Sequence, residues 1–426
     1  PSDYRPISIT PILSKIYERL LAKPLLKFFN DFNLIPRRQF AYRKGLGTCD
    51  ALLTLVEDLQ SYFDLGHEAR LVSVDFSSAF DRINHQALIF KLQALGVGGF
   101  FSNILIEFLS NRSQRVVVDG SCSPSMRVRS GVPQGSVLGP LLFIFYTADM
   151  CSDVQSQIVT YADDVTLYQP IRSPADRSDV ALSIVNDVLN ILGHDTWGMK
   201  LNPSKTHTMI FSRSRTTLPV HPPLVVNNVL LNELSTIKLL GVVLDNKLTF
   251  EAHLRSIASS TSQKVGLLRK CMKIYSADSI VSNCFFSFLL PLFEYCAPVW
   301  CSAASTHLKL LNRSFNQVRF LLPNLSVDLE HRRKVGSLSL LYKIVGNPGH
   351  PLYSCLPEPF CPTRFTRHSG TLNSRAYSIG RCNTAQYSRT FLHSSIESWN
   401  TLPDSIVCSK DSQAFKVQVN RHLLGT

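Results

Sequence analysis

The sequence contains no CxxC pair, although it holds 11 cysteines, an odd number scattered along 426 residues. That pattern argues against a disulfide scaffold or a zinc knuckle and fits a reducing compartment. No cluster of Cys and His has metal-ligand spacing. No apolar run suits a membrane span: Leu141–Ala148 is too short, and Cys284–Trp300 is interrupted by proline and Glu294. No signal peptide opens the chain, and there is no internal repeat or low-complexity tract. Charged residues are 18% and hydrophobic residues 45%, a globular balance that excludes a collagen-like or disordered chain. The length predicts roughly two to four domains or subdomains. The first residue is Pro1, not Met, inside what reads as an ordered motif, so part of a longer polypeptide is expected.

Acidic residues are short in one region only. Residues 1–250 carry 24 Lys+Arg against 22 Asp+Glu, whereas residues 251–426 carry 20 against 9, or +11 of the total +13. A strongly basic half suits a polyanionic partner, nucleic acid being the commonest.

The periodicity predicts helices over 11–30, over 48–63 with Thr48 as N-cap, and over His85–Leu95, ended by Gly96. Arg70–Phe76 is a short β-branched run and reads as a buried strand. Arg115–Asp119 and Ser125–Arg129 read as a hairpin around Gly120. Gly131–Gly135 reads as a loop feeding an apolar helix from about Val137. Ile158–Tyr168 is two apolar runs flanking an Asp-Asp pair, the pattern of a strand–turn–strand hairpin. Ala181–Leu192 reads as helix, with strands at Thr206–Phe211 and Thr236–Leu244. This irregular alternation predicts an α+β or split βαβ core. After residue 250, Leu254, Ile257, Ala258, Thr261, Val265, Leu268 and Met272 recur at helical spacing, with Arg255, Lys264, Arg269, Lys270 and Lys273 on other faces. That helix suits either a nucleic-acid backbone or a plain surface. Beyond 325 the chain reads as a small C-terminal domain or an appendage.

Three acids stand out by position. Asp75 ends an apolar strand, where an unpaired carboxylate is costly. Asp163 and Asp164 share the tip of an apolar hairpin, where like charges repel. A divalent cation resolves both, since Mg²⁺ takes a few carboxylates plus substrate phosphates. Two such ions serve in-line phosphoryl transfer. The plainer alternative is a turn made by Asp163 and Asp164, with Asp75 capping the next helix.

The motifs around these acids resemble those of reverse transcriptases. Tyr161-Ala162-Asp163-Asp164 is similar to the family's catalytic hairpin, and Ser73-Val74-Asp75-Phe76-Ser77-Ser78-Ala79-Phe80-Asp81 to its first palm motif. Residues 130–140, beginning Ser130-Gly131-Val132-Pro133-Gln134-Gly135, resemble the loop-and-helix motif between them. Gly198–Thr206 and Leu239–Asp245 resemble the next motif and the primer-grip strands. Tyr4–Ser8 and Gln39–Gly45 match the preceding fingers motifs. The wording is nearest the non-LTR (LINE-type) retrotransposons of the jockey and CR1-like groups. Ser398–Pro403 and Phe415-Lys416 resemble their C-terminal ends.

The resemblance implies a right-hand polymerase: fingers and ferredoxin-like palm over 1–250, helical thumb over 251–325, and a C-terminal basic domain over 326–426. It implies an RNA-directed DNA polymerase working on an RNA template, a DNA primer and dNTPs, in the nucleus and cytoplasm and without membrane attachment. An N-terminal endonuclease domain is expected in the full-length protein. Asp75, Asp163 and Asp164, with the Phe76 carbonyl, are expected to hold two Mg²⁺ ions, for which Mn²⁺ can substitute. Phe80 is the expected steric gate against the ribose 2′-hydroxyl, the alternative being a core aromatic. Gln134 and Gly135 are expected at the nucleotide, Lys205 as general acid or charge stabiliser at the pyrophosphate, and Arg5 and Lys15 at the triphosphate. Trp300 and Trp399 are expected in the core. The rival reading is a catalytically inactive nucleic-acid-binding relic, and the intact set of acids, Phe80, Gln134 and Lys205 speaks against it.

Overall fold

A computed structural model describes residues 7–193, 198–214, 220–274, 278–322, 325–361 and 372–425. At its centre lies a five-stranded sheet. Across the sheet the order is Asn232–Glu233, His207–Phe211, Glu68–Val74, Asp164–Ile171, Gln157–Tyr161. All neighbours pair antiparallel except the two-residue edge strand, which runs parallel to His207–Phe211. Without that edge strand, the order in chain numbering is 4-1-3-2, the split βαβ arrangement predicted from the element pattern.

The central strand explains the layering. Its side chains alternate between the two faces of the sheet, and each face meets its own core. Ala69 and Leu71 join a core with the helix Thr48–Asp64, whereas Val72 and Val74 join one with the helices Leu138–Thr147 and Arg177–Gly193. Leu138–Thr147 is buried around its whole circumference, as an all-apolar helix must be. Its first amides need partners, and the buried Glu18 carboxylate supplies them from the helix Ile12–Asp31, accepting from Val137 N–H at 2.6 Å and Leu138 N–H at 3.0 Å.

The N-cap expected at Thr48 lies one residue earlier. Gly47 is extended there, and its N–H donates to Asp50 at 2.8 Å, so the acid three residues on closes the first turn. The run Thr236–Leu244 is a hairpin of two strands, Thr236–Leu239 and Val242–Asp245, turning at Leu240-Gly241.

The helix Glu251–Ile274 follows. Leu254, Ile257, Thr261, Val265 and Leu268 are buried along it, and Arg255, Lys264, Arg269 and Lys270 are exposed. Met272 and Lys273 have side chains outside the described set. The helices Ser305–Leu321, Leu329–Val345, Phe391–Asn400 and Ser412–Leu424 complete this half. Their apolar faces share one continuous core with Thr48–Asp64, so a single core crosses the boundaries drawn at 250 and 325. Trp300 and Trp399 are both fully buried in it. Their indole N–H groups donate to Tyr295 O at 3.0 Å and Arg375 O at 2.9 Å. No described helix is long and apolar enough to cross a membrane.

Three acids of the helix Thr48–Asp64 reach this C-terminal region. Asp50 meets His350 Nε2 at 3.0 Å and Lys343 Nζ at 3.4 Å. Burial alone would raise the Asp50 pKa, but those partners and the Gly47 N–H outweigh it and leave it lowered. Glu57 accepts the Leu392 N–H at 3.1 Å, at the start of the helix Phe391–Asn400. Burial pushes its pKa up to about 7 against those hydrogen bonds. Asp64 accepts from the N–H groups of Asn383 and Thr384 at 3.0 and 2.8 Å.

Candidate active site

The central strand pairs Val74 with Val165. One step further in that register sets Asp75 against Asp164, and antiparallel neighbours have Cα atoms about 5 Å apart. Tyr161 pairs with Asp164, so Ala162 and Asp163 form a two-residue turn. Ala162 has φ +56°, a value that glycine usually supplies at the first position of such a turn. Gln39 holds it there. The Gln39 amide oxygen accepts from Ala162 N–H at 3.1 Å and from Ala41 N–H at 3.0 Å. Arg38 and Phe40 bond the backbone of Thr160, which docks this segment along the hairpin as an extra parallel bridge.

Asp75 is fixed on its other side. Its N–H donates to Thr206 Oγ1 at 3.2 Å and its carbonyl accepts from Asn202 N–H at 2.8 Å. Ser77 N–H bonds Lys200 O, so Phe76 and Leu201 face each other as a bridge whose hydrogen bonds belong to their neighbours. The Phe76 carbonyl is thus left out of that ladder.

A cleft of about 550 Å³ opens here, lined by Asp75, Phe76, Phe80, Gln134, Asp163 and Lys205 among others. A second lobe of about 370 Å³ shares Asp75 and Lys205 and runs past Asp164 to Leu239 and Leu240. Phe80 is half-buried and combines both expectations: its ring stacks on Phe143, with centroids 4.4 Å apart, and also lines the cleft. Gln134 Nε2 donates to Asp81 Oδ1 at 3.3 Å. Gly135 lines the cleft at φ +103°, and its close neighbour is protein: a Cβ would lie 2.9 Å from Ser8 O. Lys205 is exposed.

Lys15 is not among the residues lining this cleft; it sits half-buried one turn before the capping Glu18. Arg5 lies outside the described residues. The sequence reading assigned no role to Gln39 or Tyr42. Tyr42, at φ +56°, lines the cleft, and its pKa is raised by burial and by the charge of Asp163.

Among the described residues, no three acidic, His or Cys side chains converge as a closed metal cage. An oxygen-only set of carboxylates with a free-standing carbonyl still fits Mg²⁺, which keeps positions for substrate phosphates.

The sheet order, the acids at one end of it and the helical half beyond define a right-hand polymerase. The family described as reverse transcriptase (RNA-dependent DNA polymerase) matches residues 1–244. The chain belongs to that family, within its non-LTR retrotransposon branch. It is 31% identical over 323 residues to the probable RNA-directed DNA polymerase from transposon BS of Drosophila melanogaster, covering 72% of this chain and 34% of that protein. The corresponding protein of the X-element of the same fly is 30% identical, with 76% and 36% covered. The RNA-directed DNA polymerase from the fly's mobile element jockey is 30% identical, with 75% and 35% covered. The chain spans about a third of the length of these curated relatives.

Proposed function

We propose that this chain is the catalytic part of an RNA-directed DNA polymerase, extending a DNA primer on an RNA template with dNTPs. The supporting observation is the strand register, which brings Asp75, Asp163 and Asp164 to one end of the sheet at the mouth of a cleft. These carboxylates and the Phe76 carbonyl would hold two Mg²⁺ ions, with Mn²⁺ as substitute. Once bound, the ions lower the pKa of the primer 3′-hydroxyl and neutralise the triphosphate and leaving pyrophosphate.

The protein's own contribution is placement. Gln39 and the Asn202–Thr206 turn fix the backbones carrying Asp163 and Asp75, so the acids meet the substrate without rearrangement. Lys205 donates a proton to, or stabilises charge on, the departing pyrophosphate. Phe80, held against Phe143, crowds the 2′-position of the incoming sugar. The Gln134 amide exchanges its long bond to Asp81 for one to the nucleotide or template. Arg5 and Lys15 are proposed as fingers contacts to the triphosphate. The site of action proposed is the nucleus and cytoplasm.

The decisive experiment is extension of a labelled DNA primer on an RNA template with Mg²⁺ and dNTPs. A dNTP-dependent ladder that disappears in Asp163→Asn supports the reading. Retained hybrid binding without any extension would identify an inactive binding relic instead.

A further inference from the structure

The hairpin of Thr236–Leu239 and Val242–Asp245 forms a small sheet of its own; among the described residues it pairs with no strand of the central sheet. Two strands alone are marginally stable, so other contacts must fix its place. Its base is tied twice. Asp245 accepts from the N–H groups of Thr249 and Phe250 at 3.0 and 2.7 Å, and Asn246 O accepts the Ser212 N–H at 3.1 Å. The basic helix Glu251–Ile274 adds His253, whose Nδ1 accepts the Val243 N–H at 3.4 Å.

The tip is the part that reaches the cleft. Leu239 and Leu240 line the lobe of about 370 Å³ that Asp75, Asp164 and Lys205 also line. Leu239 pairs with Val242, so Leu240 and Gly241 make a two-residue turn, at φ +44° and +88°. Left-handed backbone suits Gly241 but is strained at a leucine, and it persists only where the surroundings impose it. Tyr295 imposes it. Its phenol donates to Leu240 O at 2.7 Å. A phenol has one proton to give, so Thr48 Oγ1, 3.0 Å away, donates to it in turn. The ring lies against Gly241, where a Cβ would come within 3.1 Å of Tyr295 Cε1. The Tyr295 backbone is itself held, by its N–H bond to Pro291 O at 2.9 Å and by the indole bond from the buried Trp300 to its carbonyl.

We infer that Tyr295 is a positioning residue of the polymerase centre: it clamps the Leu240-Gly241 turn and so sets one wall of the lobe that Asp75 and Asp164 line. Its role in turnover rests on the polymerase reading above. There the nucleotide lies at Phe80, Gln134 and Gly135, which line the other lobe. Tyr295 should therefore govern turnover and leave dNTP affinity alone.

The test compares the full chain with Y295F, which keeps the ring against Gly241 and removes the hydroxyl. Single-nucleotide extension is followed at saturating primer–template over a range of dNTP. In Y295F kcat per folded molecule should fall about tenfold, since a misplacement of about 1 Å can cost about a hundredfold. KM for dNTP should stay within about twofold. T48V, which removes only the donor to the phenol, should lose less in the same direction. An unchanged kcat, or a loss that comes through KM for dNTP, overturns the inference. Amide hydrogen exchange reads the clamp without catalysis: the Leu239–Val243 amides should exchange about tenfold faster in Y295F, and equal rates overturn the inference as well. Faster exchange in a chain whose wild type extends no primer would uphold the clamp and sink the polymerase reading.

Discussion

The molecule holds two triplets of carboxylates with opposite fates. Asp75, Asp163 and Asp164 line the cleft, half-buried or exposed. Asp50, Glu57 and Asp64 are buried on one helix, seven residues apart and so on one face. Backbone donors engage every member of the second set: Gly47 for Asp50, Leu392 for Glu57, Asn383 and Thr384 for Asp64. The first set has its backbones fixed while its carboxylates line the cleft. A buried acid held by backbone donors is structural, and one that lines a cavity on a braced backbone is placed to meet a substrate.

Substitution should separate the triplets. The largest effect is expected from Asp163→Asn, which should lower the rate of primer extension more than about a thousandfold, a loss of several kcal/mol of charge stabilisation. Its thermal midpoint should stay at the wild-type value; a large drop would erase the distinction.

Glu57 should reveal the second set through pH. Its folded pKa, about 7, lies above the ordinary 4.5. The folded state therefore binds the proton more tightly, and stability present below pH 4.5 is lost as pH rises toward 7. This amounts to about 3 kcal/mol over that window. Glu57→Gln keeps an oxygen for Leu392 N–H and removes the proton, so urea unfolding of the variant should lack that part of the slope. Identical pH profiles would show that Glu57 is not buried as described.

Asp64→Ala should cost about 2 kcal/mol by removing the charged acceptor of the Asn383 and Thr384 N–H groups, with extension per folded molecule unchanged. A parallel fall in rate would mean that the rear acids influence the cleft.

The smallest effect is expected at Phe80, which belongs to both core and cleft. Phe80→Ala should raise the rNTP/dNTP specificity ratio about tenfold, equivalent to about 1.4 kcal/mol of relieved clash. Equal loss of both substrates would make it a packing residue alone.

The cleft triplet was legible because local signals carry it. Two apolar runs flanking Asp163-Asp164 specify a hairpin and the β-branched run Arg70–Phe76 a buried strand carrying Asp75, and the surrounding motifs' resemblance to reverse transcriptases joined the three acids into one site. Gln39 was not assigned a role because its partner, Ala162, is 123 positions away. The Thr48 cap was misplaced because a hydroxyl at a helix start is a strong local signal, whereas the extended Gly47 depends on the reciprocal bond from Asp50. The periodicity of Asp50, Glu57 and Asp64 was present in the sequence, but a heptad of acids ordinarily marks a solvated face. Only donors roughly 300 residues further on turn that face inward.

Those separations impose a schedule on synthesis. Glu57 leaves the ribosome 335 residues before its partner Leu392. At about 5–20 residues per second, roughly 20–70 s pass before Glu57 meets its donor and the C-terminal helices close over this face of the helix. During that interval the charged row keeps the nascent helix hydrated, and final closure of the core is deferred until the last helices emerge.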